Sequence, residues 1–108
     1  MGKQWTRIEK QIMEELGLKR QPGSGSGWVH KEDGTNFKIL AQLKSTKGQS
    51  ITVKKRDVKD LLYNAAVSHK VPVFILNFVD EFVLVAVPKD EMETVAKMVK
   101  GGKFIDES

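Results

Sequence analysis

The chain has 108 residues, no cysteine and two histidines, and its 18 basic and 14 acidic side chains give a net charge of +4. The length predicts one domain with a modest core, and the missing cysteines exclude disulfides, thiolate zinc sites and a cysteine nucleophile. Apolar runs fall short of the roughly 20 residues that a membrane helix needs, and the amino end lacks a signal-peptide hydrophobic region. We therefore expect a cytoplasmic protein with no membrane partner.

Hydrophobic periodicity predicts helices and strands along the chain. An apolar stripe that ends at Leu16 predicts a first helix over residues 4–18, and a tight glycine- and serine-rich loop follows over 20–27. Asp57 is predicted to cap the second helix. The predicted strands are 28–31, 37–45, 50–53, 71–78 and 82–87, and the later helices are 57–66 and 90–99.

This order of elements predicts one α/β or α+β domain over residues 1–108, with a mixed central β-sheet of about five strands flanked by helices. The run at 71–78 is apolar almost throughout, which is typical of a strand that is buried on both sides. We expect the core to span about residues 5–99. Residues 100–108 are expected to form a C-terminal tail, because two consecutive glycines follow the last helix.

Residues 37–46 carry the main functional signal, because their side chains alternate as those of a strand do. Gln42 and Lys44 project from one side of this strand, and eight residues separate Asp33 from Gln42. A carboxylate, an acid or amide, one spacer and a lysine can hold Mg²⁺ against a phosphodiester. Hard oxygens bind the ion, and the lysine steadies a water or the scissile phosphate. The spacing alone favours a solvated strand, since polar residues usually face solvent.

Two further features leave alternatives open. Asp33 lies in a stretch, residues 32–36, whose composition is also that of an ordinary turn. Basic residues occur at several junctions, where they suit either a phosphate backbone or a solvated lysine-rich surface. These junction residues are Lys19, Arg20, Lys44, Lys47, Lys54, Lys55 and Arg56.

Five motifs follow one another in an order that resembles a known family. They are Arg20-x-x-Gly-Ser24, Asp33, Gln42-x-Lys44, the basic turn at 51–57 and the apolar strand at 71–78. Over roughly residues 5–90 the chain resembles the PD-(D/E)XK nuclease superfamily and, more narrowly, the small Holliday-junction resolvases of archaea and their phage relatives. The resemblance implies a restriction-endonuclease-like fold and a homodimer. It also implies a DNA endonuclease that depends on Mg²⁺ or Mn²⁺ and acts on branched DNA.

The resemblance also implies roles for individual residues. Lys44 would position the nucleophile as a catalytic residue, and the metal ligands would be Asp33, Gln42, the backbone carbonyl of Leu43 and Glu9, which matches best among the first-helix glutamates. The implied DNA contacts are Arg20, Ser24, Ser26, Lys47, Lys54, Lys55 and Arg56.

One departure from the family pattern bears on activity. Gln42 stands where the family has an acid, and a neutral amide is a poorer Mg²⁺ ligand than a carboxylate because charge on a hard oxygen holds the ion. Two alternatives to a nuclease therefore remain. The protein could be a non-catalytic nucleic-acid-binding module of the same fold, or a small phage-type interaction protein whose basic residues are ordinary surface.

Overall fold

The computed structural model of the protein describes residues 3–20, 34–35 and 38–105. In none of these ranges is there a helix with the length and apolar character needed to cross a membrane. The helices are α1 (Lys3–Glu15), α2 (Lys55–Val67) and α3 (Met92–Ala96), with a 3-10 turn at Lys89–Glu91. The strands are β1 (Lys19–Arg20), β2 (Gly34–Thr35), β3 (Ile39–Thr46), β4 (Val71–Phe78), β5 (Phe82–Ala86), β6 (Val99–Lys100) and β7 (Lys103–Phe104).

The main sheet is mixed and has the strand order β1-β2-β3-β4-β5. Strands β3 and β4 run parallel over their full length, from the pair Ile39–Val71 to the pair Thr46–Phe78. The other three neighbouring pairs are antiparallel. Helix α2 provides the crossover that a parallel pair requires. The predicted mixed α and β architecture is confirmed.

Each face of the sheet packs against its own helix, because side chains alternate along β3 and β4. One face carries Ile39, Ala41 and Leu43, and these pack with α1 and with Val95 of α3. The opposite face carries Leu40 and Phe74, which pack against Leu61, Ala65 and Val58 of α2. The predicted alternation along β3 is therefore confirmed from Ile39 to Leu43.

Residues 99–105 fold back onto α1, so the expected tail is wrong for residues 100–105. Strands β6 and β7 form a small antiparallel hairpin, and the side chain of Phe104 is buried in the core on the α1 side. The Phe104 amide donates a hydrogen bond to the Leu16 carbonyl, 2.8 Å away. Gly17 permits this contact because its φ is +81° and a Cβ there would lie 2.4 Å from the Phe104 carbonyl oxygen.

Three predicted elements differ from the structure. Residues 50–53 form no strand, because the parallel pairing of β3 with β4 makes this segment part of the connection to α2. Helix α2 has Lys54 as its N-cap, so Asp57 is its third residue and not its cap. The last helix is shorter than predicted and is preceded by the 3-10 turn. The predicted strand at 28–31 lies outside the described residues.

Candidate functional site

A polar cleft lies where β3 ends. The carboxyl ends of parallel strands meet at one edge of a sheet, and such edges are the usual place for ligand sites in sheets with helical crossovers. Here the last residues of β3 face the irregular segment that leads to α2, and a cleft of about 340 Å³ separates them. The residues that line it are Lys44, Ser45, Thr46, Ser50, Ile51 and Thr52. Hydroxyl groups and one ammonium group therefore dominate the lining.

Lys44 is held in the wall of this cleft by an ion pair. Its Nζ lies 3.0 Å from Oδ2 of Asp57, and the two side chains are 28% and 33% exposed. Lys44 points to the α2 side because it alternates with the buried Leu43, and Asp57 approaches from the first turn of α2. The ammonium group is therefore anchored on one side and still accessible to a ligand on the other.

Gln42 and Leu43 precede Lys44 and differ in where their side chains lie. Gln42 is half-buried and belongs to the same face of β3 as Lys44. The side chain of Leu43 is buried in the core on the α1 side, so this residue can offer a ligand only its main-chain carbonyl. The oxygen atoms of the Gln42 amide and of the Leu43 main chain are hard donors, the type that Mg²⁺ and Mn²⁺ prefer. Both are neutral, so a divalent cation at this point of β3 would need a carboxylate from elsewhere in the chain.

The sheet places three of the predicted motif segments side by side. Arg20 of β1 is opposite Gly34 of β2, and Gly34 is in turn opposite Ala41 of β3. Gly34 directly follows Asp33 in the sequence, and Ala41 directly precedes Gln42. Asp33 itself lies outside the described residues, as do Ser24 and Ser26, and the side chain of Arg20 is also outside them.

Glu9 occupies a different part of the fold. It is half-buried on α1, the helix that packs against the face of the sheet opposite to the one bearing Gln42 and Lys44. Among residues 3–20, 34–35 and 38–105, the structure contains no cluster of three or more His, Cys, Asp or Glu side chains that could hold a metal ion.

Four exposed basic residues flank the cleft. Lys47 lies in the turn directly after β3, and Lys54, Lys55 and Arg56 lie at the start of α2. The segment that lines the cleft connects these two groups in the sequence. The amino end of α2 adds the positive end of a helix dipole. The site is therefore electropositive around the Lys44–Asp57 pair.

Sequence reasoning missed two contributors to this site. Asp57 was predicted to cap α2 and instead contacts Lys44. Asn77 was predicted only as part of a buried strand, and its Nδ2 donates to the Oγ of Ser45 at 3.2 Å, which orients a residue of the cleft. The available signal for Asp57 was its position, since the helix after the first strand of a parallel pair begins close to the end of that strand.

Comparison with protein-family models, with curated proteins and with solved structures finds no match for this chain.

Proposed function

We propose that the protein is a DNA endonuclease that depends on Mg²⁺ or Mn²⁺ and has branched DNA, including four-way junctions, as its substrate. The observation that carries this proposal is the placement of Lys44. Its ammonium group is anchored by Asp57 at the wall of a hydroxyl-lined cleft, on the same strand face as Gln42. The preference for branched DNA rests on the resemblance to the junction resolvases.

The residues around the cleft have different roles in the proposed reaction. Gln42 and the Leu43 carbonyl would give neutral oxygens to the ion, and the resemblance adds the carboxylate of Asp33. Glu9, the other ligand that the resemblance implies, lies on α1, which packs on the opposite face of the sheet. When bound, such an ion neutralises charge on the scissile phosphate and lowers the pKa of a bound water. Lys44 holds a phosphate oxygen or the attacking water.

Serine hydroxyls and basic side chains around the cleft would contact the DNA backbone. The hydroxyls of Ser45 and Ser50 can donate hydrogen bonds to phosphate oxygens, and such contacts set the position of the DNA without reading its sequence. The exposed basic side chains at Lys47 and at 54–56 neutralise phosphates on either side. Binding should therefore weaken steeply as the salt concentration rises, because counterions are released from the DNA.

The glutamine at position 42 also supports a second candidate function. A glutamine supplies a neutral ligand in place of a carboxylate, so a non-catalytic module that binds DNA through the same cleft would also suit this site. The two candidates share the basic surface and differ in whether the phosphodiester is cut.

One assay separates these functions. The protein is incubated with a labelled four-way junction and with linear duplex of the same sequence, in Mg²⁺, in Mn²⁺ and in EDTA, beside Lys44→Ala and Lys100→Ala. Lys100 is an exposed lysine of β6, in the hairpin that packs on the α1 side, and serves as the control. Junction cleavage that needs the metal and Lys44, but not Lys100, supports the nuclease. Salt-sensitive binding without cleavage supports the module, and no binding at low salt contradicts both.

The resemblance further implies that the protein works as a homodimer. Symmetric cleavage of two strands needs two sites related by a two-fold axis, and a two-fold dimer provides them.

A further inference from the structure

Within the described residues, strand β5 forms an apolar edge of the main sheet. All five of its residues, Phe82–Ala86, are exposed and apolar, with Phe82 at 55% and Leu84 at 49%. In the described part of the chain β5 pairs only with β4, and the register from Phe74–Ala86 to Phe78–Phe82 contains no bulge. Proteins usually protect such an edge with lysine, proline, a bulge or a covering element. The strand Phe-Val-Leu-Val-Ala contains none of the first three.

An apolar groove adjoins this edge on the α2 side of the sheet. It has a volume of about 210 Å³ and lies between α2 and the strands β4 and β5. Ala86 lines it on β5, and the exposed Leu62 lines it on α2. The other lining residues are Val53, Val58, Leu61, Pro72, Phe74, Leu76, Val87 and Pro88.

The edge and the groove together form the largest concentration of exposed apolar side chains in the described residues. Six of the ten large apolar residues that are exposed there belong to it. They are Val53, Leu62, Phe82, Val83, Leu84 and Val85. Contiguous exposed apolar surface is a feature of protein association sites.

We propose that β5 pairs antiparallel with β5 of a second copy of this chain. The two-fold axis that relates the two strands passes between the two Leu84 residues. This register places each Leu84 opposite the partner's Leu84, and each Phe82 opposite the partner's Ala86. The largest side chain of the strand, Phe82, is then the cross-strand neighbour of the smallest, Ala86. Phe82 of the partner subunit enters the groove beside Ala86, because both side chains are on the α2 face.

Self-pairing follows from the symmetry of the strand. A two-fold interface needs a surface that complements itself, and the large–small pairing of Phe82 with Ala86 occurs twice about the axis through Leu84. On the other face of the sheet the same register pairs Val83 with the partner's Val85, which are similar in size and 41% and 42% exposed. A strand without charged residues offers no feature that would favour a partner of opposite charge.

The area that a stable dimer requires sets how much of this surface the second copy has to cover. Standard interfaces bury about 800 Å² on each partner, and that is about a tenth of the 7611 Å² accessible surface of this chain. The edge strand supplies part of this area, and the groove side, with Leu62 and Val53, supplies more. Pairing of the two edges would also satisfy their open backbone groups and create one continuous ten-stranded sheet.

This inference rests on the homodimer of the proposed function and does not depend on nuclease activity. The first test is the mass of the full-length protein in solution, by light scattering and sedimentation equilibrium across a wide range of concentrations. We expect the wild type to be a dimer and Leu84→Lys to be a folded monomer by circular dichroism. Val99→Lys, which changes a valine of β6 that is 42% exposed, should remain a dimer. A monomeric wild type would overturn the proposal, whatever the cleavage assay shows.

The second test determines the register in which β5 pairs with β5 of the second copy. The chain has no cysteine, so Leu84→Cys introduces a single thiol that faces its own copy across the axis. Directly opposed Cα atoms in an antiparallel pair are about 4.5–5.5 Å apart, within the range that a disulfide spans. Mild oxidation should cross-link Leu84→Cys almost completely and leave Val99→Cys uncross-linked. A wild-type dimer that Leu84→Lys leaves intact and Leu84→Cys does not cross-link uses another surface, and this result would also overturn the proposal. If Leu84→Lys fails to fold, the cross-link decides alone.

Discussion

The Nζ of Lys44 and the Oδ2 of Asp57 are 3.0 Å apart, and this contact joins the end of β3 to the first turn of α2. The two residues are separated by the turn after β3 and by the irregular segment that lines the polar cleft. Partly exposed pairs of this kind contribute only about 0.2–1 kcal/mol to stability. The larger effect of the pair is on position, because it holds an ammonium group at the wall of the cleft.

Replacing Lys44 by alanine should abolish cleavage and leave the fold intact. The side chain lies on the polar part of the strand surface, so its loss opens no cavity in the apolar core. DNA binding should fall only modestly, because one of several phosphate contacts is removed. The measurements are junction cleavage, DNA binding by anisotropy and thermal unfolding, with Lys100→Ala as the control. Cleavage by Lys44→Ala at the wild-type rate would refute the assignment of the motif.

Replacing Asp57 by asparagine should slow cleavage by about tenfold, a loss of about 1.4 kcal/mol in transition-state stabilisation, because the Lys44 ammonium loses its anchor. The melting temperature should change little, since the pair is partly exposed. Asp57→Glu should restore part of the rate. Asp60→Asn makes the same charge change at an exposed position of α2 and should leave the rate unchanged. Equal rates for Asp57→Asn and Asp60→Asn would show that the ion pair has no part in the reaction.

Replacing Gln42 by glutamate should raise the affinity for divalent cations, because a carboxylate adds negative charge to the ligands of the ion. If the protein is a binding module that lost catalysis at this position alone, cleavage should appear in the variant. If it is a nuclease adapted to glutamine, cleavage is already present and its metal preference should shift. Calorimetric titration of Mg²⁺ and Mn²⁺ into both proteins gives the affinity directly. Unchanged affinity would mean that position 42 does not face a metal site.

Replacing Gly17 by alanine should destabilise the fold by about 2–4 kcal/mol, because it combines a left-handed backbone cost with a steric clash. The added Cβ would lie 2.4 Å from the backbone oxygen of Phe104, and neither backbone segment can move without disturbing their hydrogen bond. Gly48→Ala is the matched control, since its nearest neighbour is Thr46 Oγ1 at 3.4 Å and its φ needs no glycine. Chemical denaturation measures both. Similar stability of the two variants would contradict the packing of the C-terminal hairpin against the end of α1.

Much of the architecture follows from local pattern. The alternation in β3 predicted which side chains share a face, and the apolar run at 71–78 predicted β4 with the bounds that the structure gives. These predictions succeed because burial on one or both faces of an element leaves a periodic trace in the sequence. The same pattern placed Gln42 and Lys44 on one strand face, where the structure also has them.

The sequence by itself determined these elements and the residue types of the site, while the tertiary structure decided how they meet. Residues 50–53 resemble a strand locally, yet the parallel pairing of β3 with β4 makes them the wall of a cleft. The contact of Asp57 with Lys44 and the packing of Phe104 on Leu16 and Gly17 both join distant segments. Only the order of strands makes β5 an exposed edge. Such relationships depend on pairing between segments that are far apart in the sequence, and periodicity within one segment carries no information about that pairing.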